Sequence, residues 1–402
     1  MSVVSLLLIV TIYAALAIGQ VPGLKMNRAT IALVGAALLV LLGTLSEEEA
    51  FHAIDVGTLL LLGAMMVINV NLRMAGFFRF VTNRTLRMAR TPGALLALLI
   101  GASGVLSAFF LNDTICLMLT PLVTDTTLRL KRNPMPYLIG LAVATNVGSV
   151  ATITGNPQNI IIGQSSGIPY VTFAAYLGPI AIMGLAICWL VLRLAYRSEF
   201  KIPLEVVELP PPRPYNPLLT RSLGVVLVML VAFSAGAPIV TVACSAAGAL
   251  LISKLRPSKL LAIDWELLAL FSGLFVVTGA IETSGLSAAL FEWARPVLEG
   301  GVAAFSLAVG VLSNVVSNVP AVLLLRPEMN NFANPQQAWL TLAMASTLAG
   351  NLTLLGSAAT LIVAELARMR SVQLSFMEFL RVGVPITILT MIVGIGWLTL
   401  MT

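Results

Sequence analysis

The stretch TNVGSVATITGNPQNIIIG, Thr145 to Gly163, is a polar island set in apolar sequence. It carries Asn146, Thr152, Thr154, Asn156, Gln158 and Asn159, and it puts Gly155 and Pro157 where an uninterrupted helix does not tolerate them. At membrane depth such a stretch must bury its freed backbone amides in protein or line a cavity with them, because an unsatisfied amide in lipid costs several kcal/mol. A broken helix at that depth reads as a binding site. The second half repeats the pattern in ASTLAGNLTLLGSAATLIVAE, Ala345 to Glu365, which contains Asn351. Aligning Thr152 with Thr353 lays Gly155 on Gly356, Asn156 on Ser357 and Asn159 on Thr360. Two such elements imply an internal repeat.

The island matters because the chain around it is a membrane chain. Its 402 residues are 58% hydrophobic and only 10% charged, with mean hydropathy +0.99, which leaves too little polar surface for a soluble protein. The net charge of +6 is spread over short loops between apolar spans. That is the pattern of cytoplasmic loops and excludes a nucleic-acid surface. Cys116, Cys188 and Cys244 lie in apolar segments without CxxC spacing and read as packing residues, and a lone His52 leaves little for a metal site. Met1 to Gln20 has no basic leader region and reads as a first span. No HExxH, GxSxG or phosphate-binding loop is present, so the chain is not read as an enzyme and no cofactor is expected beyond a possible sodium ion. Secondary transport is the economical reading.

Taken in order, spans are expected at about 4–20, 29–45 and 56–75, with the acidic loop Ser46 to Asp55 between the second and third. A basic stretch follows with Arg73, Arg79, Arg84, Arg87 and Arg90, and another with Arg129, Lys131 and Arg132. If basic loops face the cytoplasm, the amino terminus is outside and both of these stretches are inside. The residues between them, 94–125, are too few for two crossings at 1.5 Å per residue, so they read as a re-entrant hairpin. Its tip, LSAFFLNDT, carries Ser107, Asn112, Asp113 and Thr114. The broken helix 134–163 and a span at 170–192 complete a first repeat over 1–197. Residues 198–217, rich in proline, read as a cytoplasmic linker. The second repeat, 218–402, has spans at about 219–236 and 238–253, a basic loop with Lys254, Arg256 and Lys259, and a span at 264–283 that starts AIDWELL where the first half has AIDVGTL. A hairpin at 300–325 follows, with the tip LSNVVSNVP carrying Ser313, Ser317 and Asn318, then a broken helix at 336–365 and a last span at 380–400. By length alone 300–325 could also be one ordinary span. With the hairpin, the same elements recur in opposite orientation, an inverted repeat.

Two tips and two breaks around a shared axis make one polar chamber near the midplane. Unwound carbonyls there suit sodium, with a sodium site expected near Asn112, Asn156, Asn318 and Ser357, while half-helix amino ends suit an anion. The same asparagines and threonines could instead hold helices together or cap tight turns. Asp113 has no acidic counterpart, since Val319 takes the aligned place; it reads as a proton carrier or cation ligand in one repeat only, or else as a carboxylate paired within the fold. Glu282 and Glu365 read as structural, and Glu47, Glu48 and Glu49 as a solvated loop. A channel would need a continuous polar stripe along several spans; the polar residues cluster at mid-depth instead.

The segments LLGAMMVINVNLRMAGFF (62–78), LSAFFLNDT, TNVGSVATITGNPQNIIIG, GAIETSG (279–285), LSNVVSNVP and GNLTLLGSAATLIVAE resemble the ion transporter superfamily. That group includes arsenite efflux permeases, plant silicon efflux carriers, sodium/proton antiporters and divalent anion/sodium symporters. The resemblance covers about 29–400 and implies an all-α protein with a scaffold, a moving transport domain, elevator motion, and a homodimer joined through the scaffold. It further implies a plasma-membrane transporter of a small anion or weak oxyacid, coupled to sodium or protons. Sodium/proton antiport and sodium-coupled dicarboxylate, sulfate or citrate symport are the alternatives. The symporter Ser-Asn-Thr triplet is not contiguous at either tip here, and the first tip reads Asn112 then Asp113 where efflux relatives have the reverse order.

Overall fold

The structure, a computed structural model, describes residues 3–19, 25–201, 216–252, 258 and 262–401. Most of the proline-rich stretch, 202–215, and the basic residues Lys254, Arg256 and Lys259 lie outside the described residues. Among the described residues regular structure is helical throughout.

The first repeat begins with α1 (Val3–Ile18), α2 (Arg28–Leu41), a short α3 (Glu47–Ala53) and α4 (Val56–Met74). The acidic loop thus contains a helical turn: Ser46 and Glu49 form a reciprocal capping box, which holds the Glu49 carboxyl below the usual carboxylate range. The basic stretch after α4 is also not a loop. Gly76, in a left-handed conformation (φ +78°), turns the chain into α5 (Phe77–Met88), an amphipathic helix. Then come α6 (Pro92–Phe109), α7 (Asn112–Arg129), α8 (Met135–Ser149), α9 (Pro157–Ser166) and α10 (Tyr170–Ala195).

Apart from α3, the second repeat returns the same series among the described residues as α11 (Asn216–Ser234), α12 (Ile239–Leu251), α13 (Trp265–Thr283), α14 (Leu286–Leu298), α15 (Gly301–Val316), α16 (Asn318–Leu325), α17 (Pro335–Ala349), α18 (Ala358–Arg368) and α19 (Phe376–Met401). Local devices recur with it. Asp55 caps α4 by accepting from Thr58 N, and Asp264 caps α13 by accepting from Leu267 N. Gly285 (φ +72°) turns the chain into the amphipathic α14 as Gly76 turns it into α5. In the sequence this second amphipathic helix is marked only by Gly285, which matches Gly76.

Among the described residues six helices are long and apolar enough to cross a membrane, at Val56–Met74, Pro92–Phe109, Tyr170–Ala195, Pro217–Ser234, Trp265–Thr283 and Phe376–Met401. The second of these is a hairpin arm. At 18 residues it is longer than the sequence suggested and reaches about 27 Å, so length alone does not mark it as re-entrant. What marks it is its tip, where Asn112 N donates to the Gly155 carbonyl at 2.9 Å, inside the break between α8 and α9. The second hairpin is asymmetric, with 16 residues in α15 and only 8 in α16, and it reverses at Ser317.

The helices pack as two bodies. One holds α1, α2 and α4 with α11, α12 and α13, the repeats interlocking as α2 on α13 and α4 on α12. A Cβ on Gly273 would come within 2.6 Å of the Ala32 backbone, which sets how closely that first pair approaches. The other body holds α6 to α10 with α15 to α19, and α5 and α14 link the two. Its centre is α8 and α17, buried on nearly every side as befits helices apolar all round.

Candidate functional site

Both breaks are built alike. In the first, Asn156 caps α9 by accepting from Asn159 N at 2.8 Å, and Asn159 Nδ2 donates to the Ser149 and Thr152 carbonyls at 3.0 Å each. In the second, Ser357 caps α18 by accepting from Thr360 N at 3.2 Å, and Thr360 Oγ1 donates to the Leu354 carbonyl at 2.9 Å. Side chains thereby take up the carbonyls that each break frees, as burial in a membrane requires. The first hairpin is tied on by Ser107 Oγ to the Thr145 carbonyl at 2.6 Å and by Thr152 Oγ1 to the Ala108 carbonyl. The second is tied on by Asn318, whose side-chain amide, assigned with its Nδ2 toward them because two carbonyls need a donor, meets the Gly356 and Ser346 carbonyls at 3.2 and 3.1 Å.

A polar brace joins the repeats across their axis. Asn146 Nδ2 donates to Ser357 Oγ and to Asn351 Oδ1, each at 2.9 Å, while Asn146 Oδ1 accepts from Asn112 Nδ2 at 3.1 Å. Its counterpart Thr347, 201 residues on by the same alignment, accepts from Asn156 Nδ2 at 3.2 Å and from Gln158 Nε2 at 3.2 Å. Each repeat's inner helix therefore holds the cap of the other repeat's second half-helix. That reciprocity is what a two-fold relation between the repeats demands.

Above this brace lies a cavity of about 70 Å³. Asn112, Asp113, Pro157, Gln158, Ser317, Asn318, Ser357 and Ala358 line it from one body, and Leu16, Arg28, Leu267, Phe271 and Leu274 from the other. Four helices, α7, α9, α16 and α18, begin at this cavity. Each amino end carries roughly +0.5 of a charge, so together they present about +2 to whatever sits between them. Beside it is a vestibule of about 240 Å³, lined by Asn69, Arg73, Asp113, Thr114 and Asp264, and sharing Asp113, Pro157 and Leu267 with the cavity. Arg28 follows α1, Arg73 ends α4 and Asp264 opens α13, so cavity and vestibule both lie toward the basic-loop side. On the opposite side Arg326 spans the bodies, 3.7 Å from Asp55 and 6.0 Å from the centre of the Phe275 ring.

The residues singled out in the sequence divide by what they touch. Asn112, Asp113, Ser317, Asn318 and Ser357 face the cavity, and Asn146, Asn156 and Asn351 form the brace. Ser107, Thr152, Asn159 and Thr360 hold the breaks, and Thr154 pairs with the Tyr170 hydroxyl at 3.2 Å. Gly155 and Gly356 sit where a Cβ would meet backbone. Thr114 faces the vestibule, Ser313 is buried beneath the second tip, and Thr353 is half-buried without lining the cavity. The sequence did not single out Arg28, Ser149, Thr347 or Asn69. Thr347 was within reach, since it aligns with Asn146.

Ser317 has φ +80° and ψ 159°, a backbone region that is almost glycine's alone and costs on the order of 1–3 kcal/mol. Held at the tip against the cavity, it is a strained residue whose relief should show. Ser317→Gly is expected to raise the melting temperature of the purified protein while weakening ligand-induced stabilisation; a lowered melting temperature would mean the strain is not there.

The citrate transporter family profile, CitMHS, matches residues 6–349. A 46 kDa membrane protein of Mycobacterium leprae (strain TN) is 30% identical over 97% of this chain and 96% of its own. The silicon efflux transporter LSI3 of Oryza sativa subsp. japonica is 30% identical over 94% of this chain and 93% of its own. Among solved structures, the YdaH transporter of Alcanivorax borkumensis superposes with a TM-score of 0.61 over 99% of this chain and 96% of its own, at 13% sequence identity, and so shares its fold. With a profile match across most of its length and a relative this similar end to end, the chain belongs to the CitMHS citrate transporter family of the ion transporter superfamily and is a multi-pass membrane transporter.

Proposed function

We propose that this protein is a secondary transporter of a small weak oxyacid or its anion, driven by a proton or sodium gradient. The observation that carries the reading is the cavity ringed by four helix amino ends, with Asp113 on the wall it shares with the vestibule. Positive helix ends favour negative charge, so the site suits an oxyanion better than a bare cation. Size narrows the class. At about 10–15 Å³ per water-sized group, a cavity of about 70 Å³ holds on the order of five such groups. That suits one tetrahedral or pyramidal oxyacid, whereas citrate needs the cavity to widen. Silicon efflux by the rice relative is in keeping with this choice.

Alternating access follows from the two bodies. The body bearing tips and breaks carries the site, the interlocked body acts as scaffold, and an elevator displacement between them moves the site past the scaffold wall at Arg28, Leu267 and Phe271. The Arg326 contact with Asp55 crosses the bodies on the closed side and must break for that side to open. With basic loops inside, the vestibule faces the cytoplasm of a plasma membrane. A homodimer through the scaffold completes the reading.

The test is flux into proteoliposomes of arsenite, orthosilicic acid, phosphate and citrate, under imposed proton or sodium gradients. Gradient-dependent movement of arsenite or orthosilicic acid is the expected result. Movement of citrate alone, with sodium, would overturn the oxyacid reading in favour of sodium-coupled symport. Thermal stabilisation by the moved ligand, rising with its concentration, is the companion measurement.

A further inference from the structure

We propose that the vestibule is a second substrate position, where a weak oxyacid in protonated form waits before passing to the central cavity; this rests on the oxyacid reading above. The signal is Asn69. It lies on α4 in the wall of the vestibule, is 1% exposed, and among the described residues neither its Nδ2 nor its Oδ1 has a hydrogen-bond partner. A buried amide left unpaired at both ends costs on the order of 1–3 kcal/mol per group, and an apolar residue of similar size would avoid that. Asn69 has no part in the brace, and by the offset that pairs Asp55 with Asp264 its counterpart is Thr278, which bonds its own helix at the Leu274 carbonyl. The amide thus serves one repeat only, on the basic-loop side.

Its surroundings define the ligand. Arg73 lies one turn further along the same helix face and also lines the vestibule, as does Asp264, the cap of α13. Arg73 and Asn69 Nδ2 offer hydrogen-bond donors to oxygen atoms. Asp264 and Asn69 Oδ1 offer acceptors to hydroxyl groups. A ligand satisfying both sets needs oxygens and hydroxyls together, which describes an undissociated or singly ionised oxyacid. A dianion would face the Asp113 and Asp264 carboxylates, and a bare cation would face Arg73. The shared wall of Asp113, Pro157 and Leu267 then makes the step from vestibule to cavity a short one.

The test is initial flux of arsenite and of orthosilicic acid, measured from each side separately in sealed vesicles of the two orientations. For Asn69→Leu, the half-saturating concentration on the basic-loop side is expected to rise about tenfold, as loss of one or two hydrogen bonds implies. On the other side it is expected to stay within about twofold, because the vestibule is not open there. The melting temperature of Asn69→Leu is expected to rise, since the unpaired amide is gone. Asp264→Asn provides a second variant that keeps the α13 cap, because asparagine also accepts from Leu267 N; the same one-sided rise is expected. Equal changes on both sides, or none in either variant, would overturn the waiting position while leaving the oxyacid reading standing. Failure of the wild-type protein to move either probe would sink both.

Discussion

Asp113→Asn is expected to cut gradient-driven flux roughly a hundredfold, the scale of a coupling energy near the upper end of 1–3 kcal/mol, while the protein still folds and still binds its ligand. Asp113 opens the first turn of α7, half-buried, on the wall between cavity and vestibule. Its aligned partner Val319 is apolar, so the second tip has no carboxylate to take over. Asparagine matches the carboxylate in shape, keeping the tip packed, but neither carries a proton nor holds charge against a cation. Loss of concentrative flux with retained exchange of substrate for substrate would assign Asp113 to coupling. A variant whose flux keeps its full dependence on pH and sodium would remove that role. The α7 amino end should then bind the anion slightly better, because one negative charge has left its neighbourhood.

The second large effect concerns the breaks. A Cβ at Gly155 would lie 2.3 Å from the Ser149 carbonyl oxygen and 2.7 Å from the Ser149 Cα, so Gly155→Ala must displace backbone rather than a flexible side chain. The same Ser149 carbonyl accepts from Asn159, and the Gly155 carbonyl accepts from Asn112 at the hairpin tip. Moving the first loosens the break itself, and moving the second removes one of the bonds that tie the hairpin tip to it. Flux is expected to fall to background, and the melting temperature by many degrees, in keeping with a loss of more than about 4 kcal/mol from strain and broken bonds. Gly356→Ala provides the comparison. There a Cβ would come to 2.9 Å from the Gly350 carbonyl oxygen, with further neighbours at 3.2 Å, so a few tenths of an ångström of movement suffices. It is expected to be clearly the milder of the two. Equal melting temperatures for the two variants would mean that the first break is not held as tightly as these distances require.

Much of the architecture was legible because a bilayer leaves few choices. Apolar run lengths located the spans, and the recurrence of AIDVGTL as AIDWELL and of one polar island in the other located the repeats. Glycine and proline inside apolar sequence exposed both breaks, since no membrane helix keeps its hydrogen bonds through Gly155 and Pro157. The stretch after Arg73 was less legible. Its charge read as a loop, yet the residues 77–88 fold as a helix lying between the two bodies, because basic residues on one face of an amphipathic helix satisfy an interface as well as a loop does. Hairpin length misleads as well: α6 is long enough to span, and its bonds to α8 and to the break set its depth.

Within the site, sequence determined which residue types would be present and that they would come in two related sets. It determined this because polar groups in apolar spans are too costly to keep without a task. Only the tertiary structure decided which task each has. Asn146, Asn156 and Asn159 are the same residue type within one island, yet the first braces the repeats, the second caps a half-helix, and the third takes up freed carbonyls. An amide offers donor and acceptor alike, so its partners depend on what packs against it. Arg28, Thr347 and Asn69 reach the site from α2, α17 and α4, helices that come together only when the repeats interlock. Apart from Thr347, which the repeat alignment pairs with Asn146, spacing along the chain carries no trace of that meeting, because packing between the two bodies decides which helix faces the site.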